Sequence, residues 1–196
     1  MKREVRVMGI DDAPFDKRDK GRKTFIVGTI YRGGDFLDGV VSIPVTIDGD
    51  DSTQQIIAMI NRSKFKTQLQ CIFLNGIAVA GFNVVDVHNV VKATGIPLVT
   101  VIRRQPDMMN IHKTLEKIGY KHKILLLAKA GPVQKVGKIY IQAVGLSLAK
   151  AKEFLDLTCT HSLIPEPLRV AHIIAAGIVK GESKGKARSA PYFVPL

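Results

Sequence analysis

The sequence predicts an α/β fold: a mixed sheet of three antiparallel strands followed by parallel strands, with flanking helices. Three observations predict it. Residues 4–47 hold three runs rich in strand-forming residues, separated by a polar loop and a glycine turn. Residues 69–102 spell strand, helix, strand, a crossover that makes two strands of one sheet parallel. A length of 196 residues, 46% apolar and 23% charged, suits one domain in water around one core.

The elements follow in order. Residues 4–10 alternate Val5 and Val7 around Arg6, and residues 24–31 contain Phe25-Ile26-Val27-Gly28-Thr29-Ile30-Tyr31. Residues 12–23 form a polar, charged loop between them. After the turn Arg32-Gly33-Gly34-Asp35, a third strand spans 36–47. Asp50-Asp51-Ser52-Thr53 then precedes residues 54–61, where Ile56, Ile57 and Ile60 recur at helical spacing and the polar residues can cap the first turn. A buried strand at 69–74 leads to a helix at 84–94, with Val84, Val87 and Val91 on one face, stopped by Gly95 and Pro97 before a strand at 98–102. Ile111, Leu115 and Ile118 predict a helix over 107–118, and two strands are expected at 124–128 and 138–143. Ser147 caps a helix through Leu157. The last helix opens on Glu166-Pro167, with Leu168, Ala171, Ile174, Ala175 and Ile178 as its stripe. The expectation is one domain over 1–196 with a small, basic tail from about 180. This order of elements matches the ribonuclease-H-like architecture.

Composition removes several classes. No apolar run reaches about 18 residues, and Met1-Lys2-Arg3 leads into Glu4 and Arg6 instead of a signal-peptide core, so a cytoplasmic location is expected. Cys71 and Cys159 form no CxxC pair, which argues against a zinc ribbon, a thioredoxin site and a disulfide scaffold. No phosphate-binding P-loop or serine-hydrolase elbow occurs, and the five histidines show no zinc-protease spacing. His172, four residues after Leu168, reads as helix packing or a polar flank, with a minor role beside a site as the alternative. Lysine and arginine outnumber the acids 29 to 17, and a net charge of +12 favours a polyanionic partner, DNA or RNA. Arg103-Arg104 after the strand at 98–102, and Lys180, Lys184, Lys186 and Arg188 among small residues, suit phosphate contacts better than base reading. Aromatic residues at 6%, without tryptophan, argue against extensive stacking on single strands.

The carboxylates that could carry chemistry sit at element ends. Gly9-Ile10-Asp11-Asp12 ends the first strand, where alternation points Asp11 and Asp12 to opposite faces; solvated strand-end acids are the bland alternative. Asp48-Gly49-Asp50-Asp51 precedes the first helix, where one acid can cap the helix while another reaches a metal. Leu74-Asn75-Gly76 is a turn signal, yet Asn75 also leaves the carboxyl end of a strand expected beside the first, where α/β sheets gather ligands.

Together with Gly81-Phe82-Asn83-Val84-Val85-Asp86, Arg103-Arg104-Gln105-Pro106-Asp107 and Pro165-Glu166-Pro167-Leu168-Arg169, these motifs resemble one archaeal family over nearly the whole chain. The chain resembles the endonuclease-dU family, itself distantly similar to endonuclease V. The resemblance implies a ribonuclease-H-like fold and a magnesium- or manganese-dependent DNA endonuclease of DNA repair, a hydrolase acting at deaminated bases such as deoxyuridine. By similarity, the metal ligands and catalytic positions fall on Asp11, on one of Asp48, Asp50 and Asp51 with Asp51 preferred, and on Asn75. Glu166 and Asp12 are further candidates. Asn75 departs from the acidic residue of endonuclease V, because an amide oxygen can ligate magnesium but brings no charge. A nucleic-acid-binding protein of the same fold without turnover is the alternative, since it accounts for Asn75 and the basic charge together. A phosphotransferase of the sugar-kinase type ranks third, because such enzymes use two lobes of this kind.

Overall fold

The computed structural model describes residues 4–183. In chain order the elements are β1 (Arg6–Asp12), β2 (Lys23–Arg32), β3 (Phe36–Thr46), α1 (Ser52–Arg62), β4 (Leu69–Asn75), a small hairpin of β5 (Ala78–Val79) and β6 (Asn83–Val84), α2 (Val87–Thr94), β7 (Leu98–Ile102), α3 (Met108–Lys117), α4 (Lys121–Lys129), β8 (Gln134–Val136), β9 (Ile139–Val144), α5 (Leu148–Thr158) and α6 (Glu166–Lys180). The main sheet has seven strands in the order β3-β2-β1-β4-β7-β9-β8. The first three form the antiparallel meander, and β4 and β7 join β1 in parallel. Beyond β7 the chain reverses, so β9 and β8 add antiparallel. This is the ribonuclease-H-like mixed sheet the element order predicts.

Strand alternation divides the core into two layers. Met8 and Ile10 of β1 point to the layer of α1 to α4, packed with Ile56, Ile60, Val87, Ile111 and Leu127. Val7 points the other way, to a layer with Phe73, Val101, Ile141, Phe154 and Leu168 under α5 and α6. Gly9 allows α6 to press onto β1: a Cβ there would lie 2.3 Å from the Pro167 carbonyl carbon, a clash with backbone. Thr29 on β2 donates a 2.7 Å hydrogen bond to the Pro167 carbonyl, fixing the start of α6 at that point.

Several local expectations change. Residues 124–128 are not a strand; they belong to α4. A short apolar run is ambiguous in period, and Ile124-Leu125-Leu126-Leu127-Ala128 is rich in good helix formers. Helical spacing buries Lys123 and Leu127 one turn apart and leaves Leu125 exposed. The first turn of α1 is not capped by the side chain of Asp51, its N-cap residue. The Ser52 amide donates instead to Asn83 Oδ1 at 3.0 Å, a cap supplied from the β5–β6 hairpin. The helix expected from 84 starts at Val87, because residues 83–84 pair in that hairpin and Asp86 accepts the cap bond from the Asn89 amide. Ser147 caps α5 as expected, accepting from the Lys150 amide. Among the described residues no helix is long and apolar enough to cross a membrane. Lys184, Lys186 and Arg188 lie outside the described residues.

Candidate active site at the carboxyl edge of the parallel strands

Because β1, β4 and β7 are parallel, their carboxyl ends share one edge of the sheet, which collects Asp11 and Asp12, Asn75, and Arg103-Arg104. Asp11 is 2% exposed. Its Oδ1 accepts from Asn75 Nδ2 and from the Asp12 amide, both at 3.0 Å. Its Oδ2 lies 3.0 Å from His172 Nδ1, carried by α6 across the cleft that Gly9 makes narrow. His172 is thus a functional candidate that the sequence placed chiefly in packing. The signal was its place one turn after the buried Leu168, on the stripe facing the strand that ends in Asp11.

Asp12 turns to the opposite layer, where its Oδ2 accepts a 2.7 Å bond from the Ala80 amide. Burial, and then the charge of Asp11, push its carboxyl up to about 7 from an ordinary 3.8. The turn that receives it has unusual backbone. Asp48 (φ 55°) and Ala80 (φ 47°) are the described non-glycine residues with left-handed conformation, and the Asp48 amide donates to the Ala80 carbonyl at 2.8 Å. Asp48 Oδ1 in turn accepts from the Phe82 amide at 2.8 Å.

Asp51 stands elsewhere. Its Oδ1 accepts from the Thr46 amide (3.0 Å) and Asn83 Nδ2 (2.8 Å), and its Oδ2 from Thr46 Oγ1 (2.7 Å) and Lys23 Nζ (2.8 Å). Four donors match the carboxylate's roughly four acceptor positions. Against the upward pull of burial, the bonds from Lys23, Thr46 and Asn83 hold its carboxyl well below the usual range. Asp50 pairs with His122 and Lys123, both at 3.1 Å. The structure therefore brings Asp11, Asn75 and His172 together, with Asp12 adjacent; Asp48 braces the turn that receives Asp12, and Asp50 and Asp51 are tied up elsewhere. Glu166 is buried at the start of α6 in an ion pair with Arg169. Six residues before His172, it lies about 9 Å from it along the helix axis at 1.5 Å per residue. Among the described residues no three His, Cys, Asp or Glu side chains converge to hold a metal ion by themselves.

Arg104 is exposed and Arg103 is partly buried, its guanidinium pKa pulled down by that burial. Lys180 is the last residue of α6 and is exposed.

Known proteins share this fold. A solved protein of unknown function from Archaeoglobus fulgidus superposes with a TM-score of 0.83 at 38% identity, covering 90% of this chain and 99% of that one. Ciona intestinalis endonuclease V, solved with a DNA 24mer containing an inosine followed by a ribo-adenosine, gives a TM-score of 0.56 at 15% identity over 85% of this chain and 82% of its own. At that identity the likeness shows a common fold. Among curated sequences, UPF0215 proteins of Methanothermobacter thermautotrophicus and Pyrococcus horikoshii are each 43% identical, over 95% and 94% of this chain and 94% and 97% of their own. The family described as Endonuclease dU matches residues 3–179, and the chain belongs to that family.

Proposed function

We propose that the chain is a phosphodiester-cleaving nuclease of the endonuclease V type, acting on DNA at deaminated bases such as deoxyuridine. The observation that carries this reading is the buried Asp11 at the carboxyl end of β1, with Asn75 and His172 converging on its two oxygens. Family membership and the fold shared with a DNA-bound endonuclease V support it.

The residues fit a divalent ion held by few protein groups. Of the donors named, Asp11 Oδ1 takes two and Oδ2 one, so Oδ2 has room for a cation. Asp12, raised to about 7 beside Asp11, is a second anion whose repulsion a cation would relieve. Magnesium commonly binds through one or two carboxylates, with water and substrate phosphate filling its shell. Asp11 is the proposed ligand of magnesium or manganese, which would supply phosphate polarisation and an activated water when bound, and Asp12 adds negative potential beside it. Asn75 orients Asp11 through its amide donor, and His172 holds Oδ2. Asp51, with its acceptors filled, is assigned a structural part. Arg103, Arg104 and Lys180 are the proposed phosphate contacts.

The test is a cleavage screen with magnesium on unmodified DNA and on DNA carrying deoxyuridine or deoxyinosine. Wild-type protein nicks the modified strands, and Asp11→Ala loses at least 100-fold of that rate while remaining folded by circular dichroism. Unchanged nicking by Asp11→Ala overturns the assignment. The reading as a non-catalytic DNA-binding protein is favoured by one observation, the neutral amide of Asn75 where a third acid would complete a stronger metal site; salt-dependent binding without nicking at any metal concentration supports it.

A further inference from the structure

Lys123, on α4, is 0% exposed, a rare place for a lysine. Burying an ammonium is costly unless its hydrogens find acceptors, and here they do. Nζ donates to the carbonyls of Gly49 and Phe82, both at 2.8 Å, and of Asp48 at 3.2 Å. The face of Tyr120 covers it, with the ring centre 4.1 Å away, and the Asp50 carboxylate lies 3.1 Å from it. An ammonium has three donors, and the backbone oxygens that receive them belong to two separate stretches: the segment before α1 and the loop of the β5–β6 hairpin.

Both stretches hold a backbone that side chains resist. Asp48 (φ 55°) and Ala80 (φ 47°) are left-handed, a region that alanine disfavours because its Cβ crowds the following carbonyl oxygen. The two residues are bound to each other. The Asp48 amide donates to the Ala80 carbonyl at 2.8 Å, and Asp48 Oδ1 accepts from the Phe82 amide at 2.8 Å. The Ala80 amide in turn donates to Asp12 Oδ2 at 2.7 Å. Backbone of this kind persists only where its surroundings over-determine it, and the ammonium is the charged group that joins its two halves.

We propose that Lys123 is a positioning residue for the cleavage site: its ammonium holds the turns at Asp48 and Ala80 in their left-handed form, so that the Ala80 amide fixes the Asp12 carboxylate beside Asp11. Asp11 and Asp12 are not among the partners of Nζ named above, so Lys123 acts on them through the turn. Without the clamp the turn relaxes, Asp12 loses its donor, and the negative potential beside Asp11 is no longer fixed in place. The proposal rests on the nuclease reading for the use that the site makes of Asp12.

The experiment uses the full chain. Lys123→Met keeps the reach of the side chain and removes the ammonium; Ala80→Gly removes the Cβ that disfavours positive φ; the third protein combines them. Two readouts need no cleavage: hydrogen exchange of the residue-80 amide by NMR, set against the slowest amides of the core, and calorimetric titration with magnesium alone. Lys123→Met should speed exchange at residue 80 beyond what its global stability accounts for, and weaken magnesium binding about tenfold. In the combined protein the turn forms without the clamp, so exchange and affinity should return to within about threefold of the wild type while urea stability stays lowered. A merely structural lysine would show no such separation. In nicking assays kcat falls in Lys123→Met and KM for DNA holds. Should Lys123→Met fail to fold, Asp48→Ala, which keeps Lys123 and removes the acceptor of the Phe82 amide, takes its place with the same two losses expected. An unmoved residue-80 amide in the variant that folds, or losses that Ala80→Gly does nothing to restore, overturn the proposal. Wild-type protein that neither binds magnesium nor nicks removes the nuclease reading, and exchange at residue 80 still decides the clamp.

Discussion

Two acidic segments of this chain look alike in sequence and differ in their surroundings: Asp11-Asp12 at the end of β1, and Asp48-Gly49-Asp50-Asp51 before α1. The second is saturated. Asp51 accepts from four donors, and Asp50 meets a lysine and a histidine. The first is strained electrostatically, with two neighbouring carboxylates, no lysine or arginine salt bridge shown to either among the described residues, and one carboxyl driven up to about 7. A carboxylate with every acceptor filled is committed to the fold. One left beside a like charge is available to a cation, which is why the candidate chemistry belongs to β1.

The contrast breaks most visibly at Lys123. Its side chain is fully buried, and Nζ donates to the carbonyls of Asp48 (3.2 Å), Gly49 (2.8 Å) and Phe82 (2.8 Å) while pairing with Asp50 and lying 4.1 Å from the Tyr120 ring centre. Lys123→Met removes the donor from three part-buried carbonyls, while Asp50 stays largely exposed, and leaving a buried acceptor unpaired costs about 1–3 kcal/mol. Urea unfolding should show that loss. A loss below about 1 kcal/mol would mean the turn holds itself together and the saturation of this segment is incidental.

How far the sequence exposes this division depends on the range of the interactions. The meander, the parallel crossover and the pairing of β1 with β4 follow from local periodicity and connection rules, so the sequence alone puts Asp11 and Asn75 on one edge. Residues 124–128 are an apolar run too short to show its period, and the burial of Lys123 beside it is hidden because a lysine ordinarily signals solvent. The roles of Asp51 and His172 depend on partners 32 or more residues distant, Asn83 and Asp11, which no spacing rule supplies.

The two segments should also answer pH with opposite sign. Asp12 has its folded pKa raised, so its contribution to stability is full below about 4 and is lost as pH rises toward 7. Asp51 has its folded pKa depressed, so its contribution is present above about 4 and is lost on acidification. Asp12→Asn should therefore flatten the decline between pH 4 and 7 and raise metal-free stability at pH 7, on the order of 2 kcal/mol after allowing for its partial exposure. Asp51→Asn should lower stability at pH 7 by about 1–3 kcal/mol, and its deficit should shrink in acid. Thermal unfolding across pH 3 to 8 checks both, and parallel curves for the two variants would erase the distinction.

The smallest expected change tests whether Asn75 belongs with the strained pair. Asn75→Asp nearly keeps the shape and adds a negative charge against Asp11, whose Oδ1 now accepts from Asn75 Nδ2 at 3.0 Å. Without metal the substitution replaces an attraction by a repulsion and should lower stability. With magnesium the same charge becomes a ligand. At about 4 Å and an effective dielectric of 20, one charge gains roughly 8 kcal/mol toward a divalent ion, most of it offset by lost hydration. A net tightening of about tenfold in calorimetric titration is the expected outcome, with magnesium restoring the thermal stability that the apo variant lost. Asn75 acting only at the turn into Gly76 would leave magnesium affinity unchanged, and equal affinities in the two proteins would place residue 75 outside the ion's reach.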